Sequence, residues 1–318
     1  MFVVTVSSGN SGGGLVHDHL NNRKDFVNPF DGNEFRLIND PDGLDNLYNN
    51  CYENFTINNA AIAFERFEKF LKFSSKIKGR VDGKWNYIYK KNVKDIFENY
   101  LKKITYLEYY GMPQFKYLNL SLINKILFNI RYYFIKQSIN EINYFKIRLP
   151  CDEKTFLIET KKFIKKLCLY NNQSTSKNIL LDQSISYWNP EKFIKYFDDV
   201  KIIITNRDPR SIYYSMLSRN SKAYPSADIK IFTRWYKKIR EIQSKINNKN
   251  IYFVQYENFL RNHEQEVKKL NKFLGINTNI KSAYNIQLSM NRIDIAKNEL
   301  KKYDQIYIQK KLKRYLNW

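Results

Sequence analysis

Two short stretches of this chain hold residues that could grip an anion and act on it. In Gly9-Asn10-Ser11-Gly12-Gly13-Gly14, glycines let backbone N–H groups close on a phosphate, and a helix starting near Gly13 would add its positive end. A nucleoside-triphosphatase loop ends in Gly-Lys-Ser/Thr, and this one has no lysine. A dinucleotide fingerprint reads GxGxxG, a spacing that Gly9, Gly12 and Gly14 do not keep. In the second stretch, Arg207 and Ser215 lie about two helical turns apart, a permanently charged fork and a hydroxyl over one rim. Such a pair suits a phosphate, and Arg207 could equally pair with Asp208 or another nearby carboxylate.

Both stretches follow apolar runs. Phe2–Val6 reads as a buried strand that feeds the glycine turn and a helix over about Gly13–Asn22. Lys201–Thr205 is β-branched and reads as a strand buried on both faces of a parallel sheet. Asp208 then caps a helix, Pro209 suits its first turn, and Ile212, Tyr213, Met216 and Leu217 recur at helical spacing. Strand, turn and helix in that order place each turn at the carboxyl end of its strand, where open α/β sheets bind ligands. Further along, Asn178–Asp182 reads as a buried strand with a carboxylate at its tip, and Asn189–Phe197 as a helix. Asp182 there either orients a loop or an acceptor, or caps the adjacent turn. Asp228–Lys245 is an amphipathic helix and Asn250–Gln255 a strand. Tyr256 ends that strand on the rim shared with Arg207, where a phenol could meet an adenine ring, and the next helix closes at Gly275.

From about residue 58 to 172 helical periodicity takes over, in Ala60–Phe73, Val93–Tyr110, Leu118–Ile139 and Thr155–Tyr170. Breaks are expected at Gly79–Gly83, Gly111–Pro113 and Leu149–Pro150. The expectation is one α/β domain over 1–318 carrying a helical insertion or cap, its aromatic faces forming core rather than stacking on sugars.

The balance of 54 basic against 31 acidic residues gives +23, a field that would attract nucleic acid, an acidic membrane surface or anionic small molecules and glycans. The lysines are spread throughout, with no compact arginine tract and no zinc-finger, helix-turn-helix or RNA-recognition signature, so nucleic acid is not the expected partner. Cys51, Cys151 and Cys168 show no CxxC spacing and imply a reducing compartment without a disulfide framework. His17, His19 and His263 are little material for a metal site, and none is expected. The apolar start, Met1–Val6, is too short for a signal peptide, so a cytoplasmic location is expected, with peripheral contact to an acidic membrane allowed by the charge.

The order strand–RDPR–xxxx–S resembles the 3′-phosphate-binding element of sulfotransferases that use 3′-phosphoadenosine 5′-phosphosulfate (PAPS). The run from Leu180 through Ser211 and the Tyr256–Ile276 segment, with its FLGI ending, resemble the same family, with Asn258 where Asp is common. Gly9–Leu15 resembles the 5′-phosphosulfate loop: Ser11 and Gly12 match, Asn10 stands where Arg or Lys is usual, and Gly13 and Gly14 replace a Ser/Thr pair. The resemblance implies a three-layer, P-loop-like α/β fold and a PAPS-dependent enzyme that needs no metal. Arg207 and Ser215 would hold the donor's 3′-phosphate, the amides of Ser11–Gly14 its 5′ end, and Arg292 would stand in the order of a late basic loop. The missing cation at Asn10 would have to come from Arg36, Arg23 or elsewhere. By position Glu34, in a short extended segment Glu34–Ile38, resembles the base of carbohydrate-type members, although it could simply pair with Arg36. His17 and His19 are rival bases, of which at most one should face the cleft. The implied acceptor is a carbohydrate hydroxyl of a surface polysaccharide or glycolipid. The alternatives are a kinase or other transferase with a 3′-phosphorylated nucleotide donor, or a catalytically degenerate protein that binds anions or glycans.

Overall fold

The computed structural model describes residues 1–30, 33–74, 93–111, 114–118, 120–134, 145–171, 178–219, 225, 228–293 and 295–316. Seven strands occur among them: β1 (Phe2–Ser7), β2 (Phe26–Val27), β3 (Thr105–Gly111), β4 (Phe145–Pro150), β5 (Asn178–Asp182), β6 (Val200–Asn206) and β7 (Ile251–Gln255). Five form a sheet in the order β2-β5-β1-β6-β7, and each neighbouring pair is parallel. Every residue of β1 is buried, and β6 is buried but for Lys201, as apolar runs covered on both faces should be. Pairing sets Thr5 beside Asp182, Ser7 beside Thr205 and Asn206 beside Gln255, so four strands end along one edge.

Helices flank this sheet. The helix after β1, Gly13–Asn21, packs Leu15, Val16 and Leu20 with Val3, Leu180, Ile203 and Val254. Phe259, Leu260, Leu270 and Leu274, from Tyr256–Arg261 and His263–Leu274, join that core. A second core joins Ile212, Tyr213 and Met216 of Pro209–Ser218 to Phe232 and Tyr236 of Ile229–Gln243. Each buried aliphatic or aromatic side chain contributes about 1.5–3 kcal/mol by leaving water. The architecture is α/β, built on a parallel sheet.

The expected strand–turn–helix after β6 is present in detail. Asp208 is fully buried and caps Pro209–Ser218 by accepting from the Arg210 N–H at 2.9 Å. The same carboxylate takes Arg210 Nε and Nη2 at 2.9 and 2.8 Å, while the Asp208 N–H donates to Glu257 Oε1 at 2.9 Å. Asp208→Ala removes the cap and leaves the buried Arg210 guanidinium without this counter-charge. A loss of about 3–5 kcal/mol is expected, read as a lowered urea midpoint; a change under about 1 kcal/mol would remove this network from the fold's supports.

By contact density the chain forms two units, one from residues 1–39 and 164–316, the other from 40–74 and 93–163, among the described residues. The sheet and both cores above belong to the first. In the second, helices Ile57–Ser74 and Val93–Ile104 and the start of Glu153–Asn171 share an aromatic core, with Tyr100 stacked on Phe163 at 4.0 Å and meeting Phe67 at 6.2 Å. The aromatics there are core, as read from their spacing. The purely helical reading of this region is corrected at residue 104. The helix stops there, and the β-prone run Thr105–Gly111 pairs antiparallel with Phe145–Pro150. Leu118–Ile139 resolves into Gln114–Leu118 and Leu122–Phe134; its expected end, the 79–83 break and residues 112–113 lie outside the described residues. Pro190–Tyr196 winds as a 3-10 helix, and the two-residue strand β2 is not foreshadowed by an apolar run. No described helix is long and apolar enough to cross a membrane.

Candidate active site

The strand ends open into a cleft of about 1280 Å³ within the first unit. The glycine turn lines it from the end of β1, Asp182 and Gln183 from β5, Arg207 from β6, and Tyr256 from β7. The two sequence stretches that could hold an anion therefore meet. Arg207 is buried, and its Nη1 donates to the Asn10 carbonyl at 3.3 Å and to Ser215 Oγ at 3.4 Å. Its Nη2 donates to the Arg292 carbonyl at 2.6 Å, and its carbon lies 4.7 Å from the centre of the Tyr256 ring. Burial pushes the guanidinium pKa down, with Tyr256 and Glu257 opposing the shift. Arg207 Nε is buried with no hydrogen-bond partner among the described residues. An orphaned donor on a buried cation fits an anion oxygen.

The glycine loop is held by its own chemistry. The Ser11 N–H donates to the Ser8 carbonyl at 3.1 Å, and Ser11 Oγ bonds the same carbonyl and lies 2.9 Å from Ser8 Oγ. Ser11 therefore builds the turn, and it is absent from the cleft lining. The donors left to an anion are the first N–H groups of the helix that starts at Gly13, with Gly12 before it. Gly12 has φ 81°, and a Cβ there would run into the Tyr256 ring. A Cβ on Gly13 would strike Ser7 Oγ, so Ser7, itself bonded by Gln183 Nε2 at 3.3 Å, fills the space that a side chain at position 13 would take. Asn10 and Gln183, both on the cleft, are held at φ 63° and 50°, a conformation that costs a non-glycine residue about 1–3 kcal/mol.

The remaining expected site residues separate into those on the cleft and those behind it. Gly9, Asn10, Gly12, Gly13, Gly14, Ser215, Tyr256, Arg292 and Glu34 line it. Arg292 reaches Arg207 through its backbone carbonyl, while its side chain is exposed on the cleft. Glu34 forms an ion pair with Arg36 at 3.6 Å and a single parallel bridge with Asp182. His17 is not on the cleft: it is buried beneath it, with Nδ1 2.9 Å from Thr5 Oγ1 and Nε2 3.1 Å from Asn28 Nδ2. Burial lowers its pKa to about 4. His19 is buried against Phe259 and His263.

Two residues that sequence reasoning did not single out belong here. Arg219, at the end of Pro209–Ser218, donates from Nη1 to Asn10 Oδ1 at 3.2 Å, so a cation does stand over the loop position that lacks one. Arg23 does not supply it, because its guanidinium is engaged by Asp25 and the carbonyls of Asn277 and Ile280. Thr5 is the other, joining His17 to Asp182 through one hydroxyl. No local motif announces either; both contacts join segments far apart in sequence.

A parallel sheet whose strand ends gather a glycine turn and an arginine-lined cleft defines an α/β protein with its binding site at the carboxyl edge. Residues 145–279 match the model of the sulfotransferase family, so that stretch of the chain is similar to it. Solved structures similar to it include the sulfotransferase domain from the curacin biosynthetic pathway, at 13% identity over 99% of this chain and 98% of that one, TM-score 0.45. A sulfotransferase from Alicyclobacillus acidocaldarius is 11% identical over 98% and 93%, TM-score 0.42, and one from Mycobacterium avium 11% over 99% and 75%, TM-score 0.37. No curated protein matches the chain.

Proposed function

We propose that the protein transfers a sulfuryl group from PAPS to a carbohydrate hydroxyl. The observation that carries this reading is the meeting of Arg207, Ser215 and the Asn10–Gly14 turn at one cleft. Arg207, with its orphaned Nε, and Ser215 would take the donor's 3′-phosphate, and the amides of Gly12–Gly14 its 5′ end. Tyr256 would lie along the adenosine. Bound PAPS supplies a sulfur whose bond to a phosphate oxygen breaks as an acceptor hydroxyl attacks it. Charge then grows on the departing phosphate, where the loop amides and Arg219 stand ready. The cleft also carries Glu34 and Asp182, two carboxylates able to receive the hydroxyl proton, and is lined by the aromatic pair Tyr187 and Trp188, which would suit a sugar. Glu34, engaged by Arg36, would serve as base only by leaving that pair.

Thermal shift tests the donor. Adenosine 3′,5′-bisphosphate at 100 times its Kd should stabilise the chain by about 2.7 kcal/mol, raising Tm by several degrees, and ATP with magnesium should not. Stabilisation by ATP–magnesium alone would favour a kinase and overturn the reading. Binding of the bisphosphate without any PAPS turnover would favour the anion- or glycan-binding alternative.

A further inference from the structure

The buried groups behind the cleft form a single directed chain. The Phe30 N–H donates to Asn28 Oδ1 at 2.9 Å, which fixes the amide so that Asn28 Nδ2 faces His17 Nε2 at 3.1 Å and donates to it. His17 Nε2 is then the acceptor nitrogen, and its proton sits on Nδ1, 2.9 Å from Thr5 Oγ1. With its oxygen receiving that proton, the Thr5 hydroxyl has two acceptors in reach, the Leu181 carbonyl at 3.4 Å and Asp182 Oδ1 at 3.1 Å, and the shorter contact joins it to Asp182. Asp182 closes the chain, and it alone of these groups lines the cleft. Its side chain is 18% exposed, so the carboxylate is mostly sheltered from water while one face meets the cavity.

We propose that Asp182, held by Thr5, His17 and Asn28, is the group that takes the acceptor's proton, and that Glu34 is not. The inference rests on the proposed sulfuryl transfer. As the acceptor oxygen forms its bond to sulfur, the sulfur–oxygen bond to the donor phosphate breaks and the electron pair stays on that phosphate. The hydroxyl proton passes to Asp182 Oδ2, the carboxylate oxygen that Thr5 does not bond, then to solvent when product leaves. Thr5, His17 and Asn28 are positioning residues, since none of them touches the acceptor.

Burial raises the Asp182 carboxyl to about 6, the Asp18 charge adds to the rise, and Thr5 and the Gln183 N–H oppose it. The other titratable groups near it are His17 and Asp18 on the first helix, and Glu34, which pairs with Arg36 and whose backbone bridges to that of Asp182. A base must be deprotonated, so turnover should fall as pH drops through about 6. Losing the Thr5 hydrogen bond removes a donor that favours the anion, which moves that acidic limb to higher pH.

The test uses the full chain, PAPS, and a pool of neutral oligosaccharides plus water as acceptor probes. Asp182→Asn should lower PAPS turnover about 100-fold, with affinity for adenosine 3′,5′-bisphosphate unchanged by calorimetry. Thr5→Val should shift the acidic limb upward and Thr5→Ser should restore it, while Glu34→Gln should still show an acidic limb, because Asp182 remains to titrate. Nitrogen-15 spectra of labelled histidine give a readout apart from activity: His17 should be neutral and protonated on Nδ1 from pH 5 to 8. Full turnover in Asp182→Asn, an unmoved limb in Thr5→Val, an Nε2-protonated His17, or bisphosphate binding with no turnover in the parent each overturns the assignment of Asp182. Failure of the parent to bind the bisphosphate at all overturns the donor site first, and this inference with it.

Discussion

Arg207→Ala is expected to bind adenosine 3′,5′-bisphosphate roughly 30- to 1000-fold more weakly than the parent. The factor follows from removing one charge-assisted, forked contact in a sheltered site, on the order of 2–4 kcal/mol. Shelter matters to the size of the effect. Arg207 is buried under Asn10, Ser215, Tyr256 and the Arg292 carbonyl, so solvent screens its field on a bound anion far less than at a surface site. Arg207→Lys should fall between the two, because an ammonium keeps the charge and loses the fork. Titration calorimetry on variants shown folded by their thermal transition decides the matter. Binding by Arg207→Ala within twofold of the parent would move the phosphate site elsewhere.

Gly12→Ala should be as damaging by a different route. A left-handed backbone at φ 81° costs an alanine about 1–2 kcal/mol. Its methyl group would also occupy space already held by the Tyr256 ring. The ring cannot yield freely, because its hydroxyl donates to the Ser289 carbonyl at 3.4 Å and Arg207 lies against its face. Either the loop or the ring must leave its place, and donor affinity should drop by about 100-fold or more. Tyr256→Ala would reopen the space without curing the backbone strain. The double variant should therefore bind better than the product of the two single losses predicts, a coupling that calorimetry can measure. Strictly additive losses would mean that the ring and the glycine do not meet.

The parallel sheet was legible because burial on both faces writes itself as unbroken apolar runs. Phe2–Ser7, Asn178–Asp182, Val200–Asn206 and Ile251–Gln255 all fall where those runs were read. The turn after β6 was legible because Asp, Pro and the following helical stripe each have local meaning. Residues 105–111 were not, since Tyr and Leu suit a helix stripe and an exposed hairpin equally, and only pairing with Phe145–Pro150 decides. At the candidate site, the residues drawn from short motifs arrived at one cleft, but their partners were hidden. Whether Arg36 engages Glu34, whether Arg219 covers Asn10, and whether His17 faces a cavity or a threonine are questions of tertiary distance. Helical phase could say that His17 and His19 point apart. It could not say that both point inward.

The guanidinium of Arg207 already fastens a segment near the start of the chain to one near its end, through the carbonyls of Asn10 and Arg292. An arriving anion can take the unpartnered Nε directly, but it reaches the two Nη groups only by competing with those carbonyls, so occupancy is in part an exchange of latches. Each carbonyl released has to find water or a new donor. Any grip of the Nη groups on an anion and the tethering of the C-terminal segment would then be two uses of one side chain, and strengthening either would slacken the other.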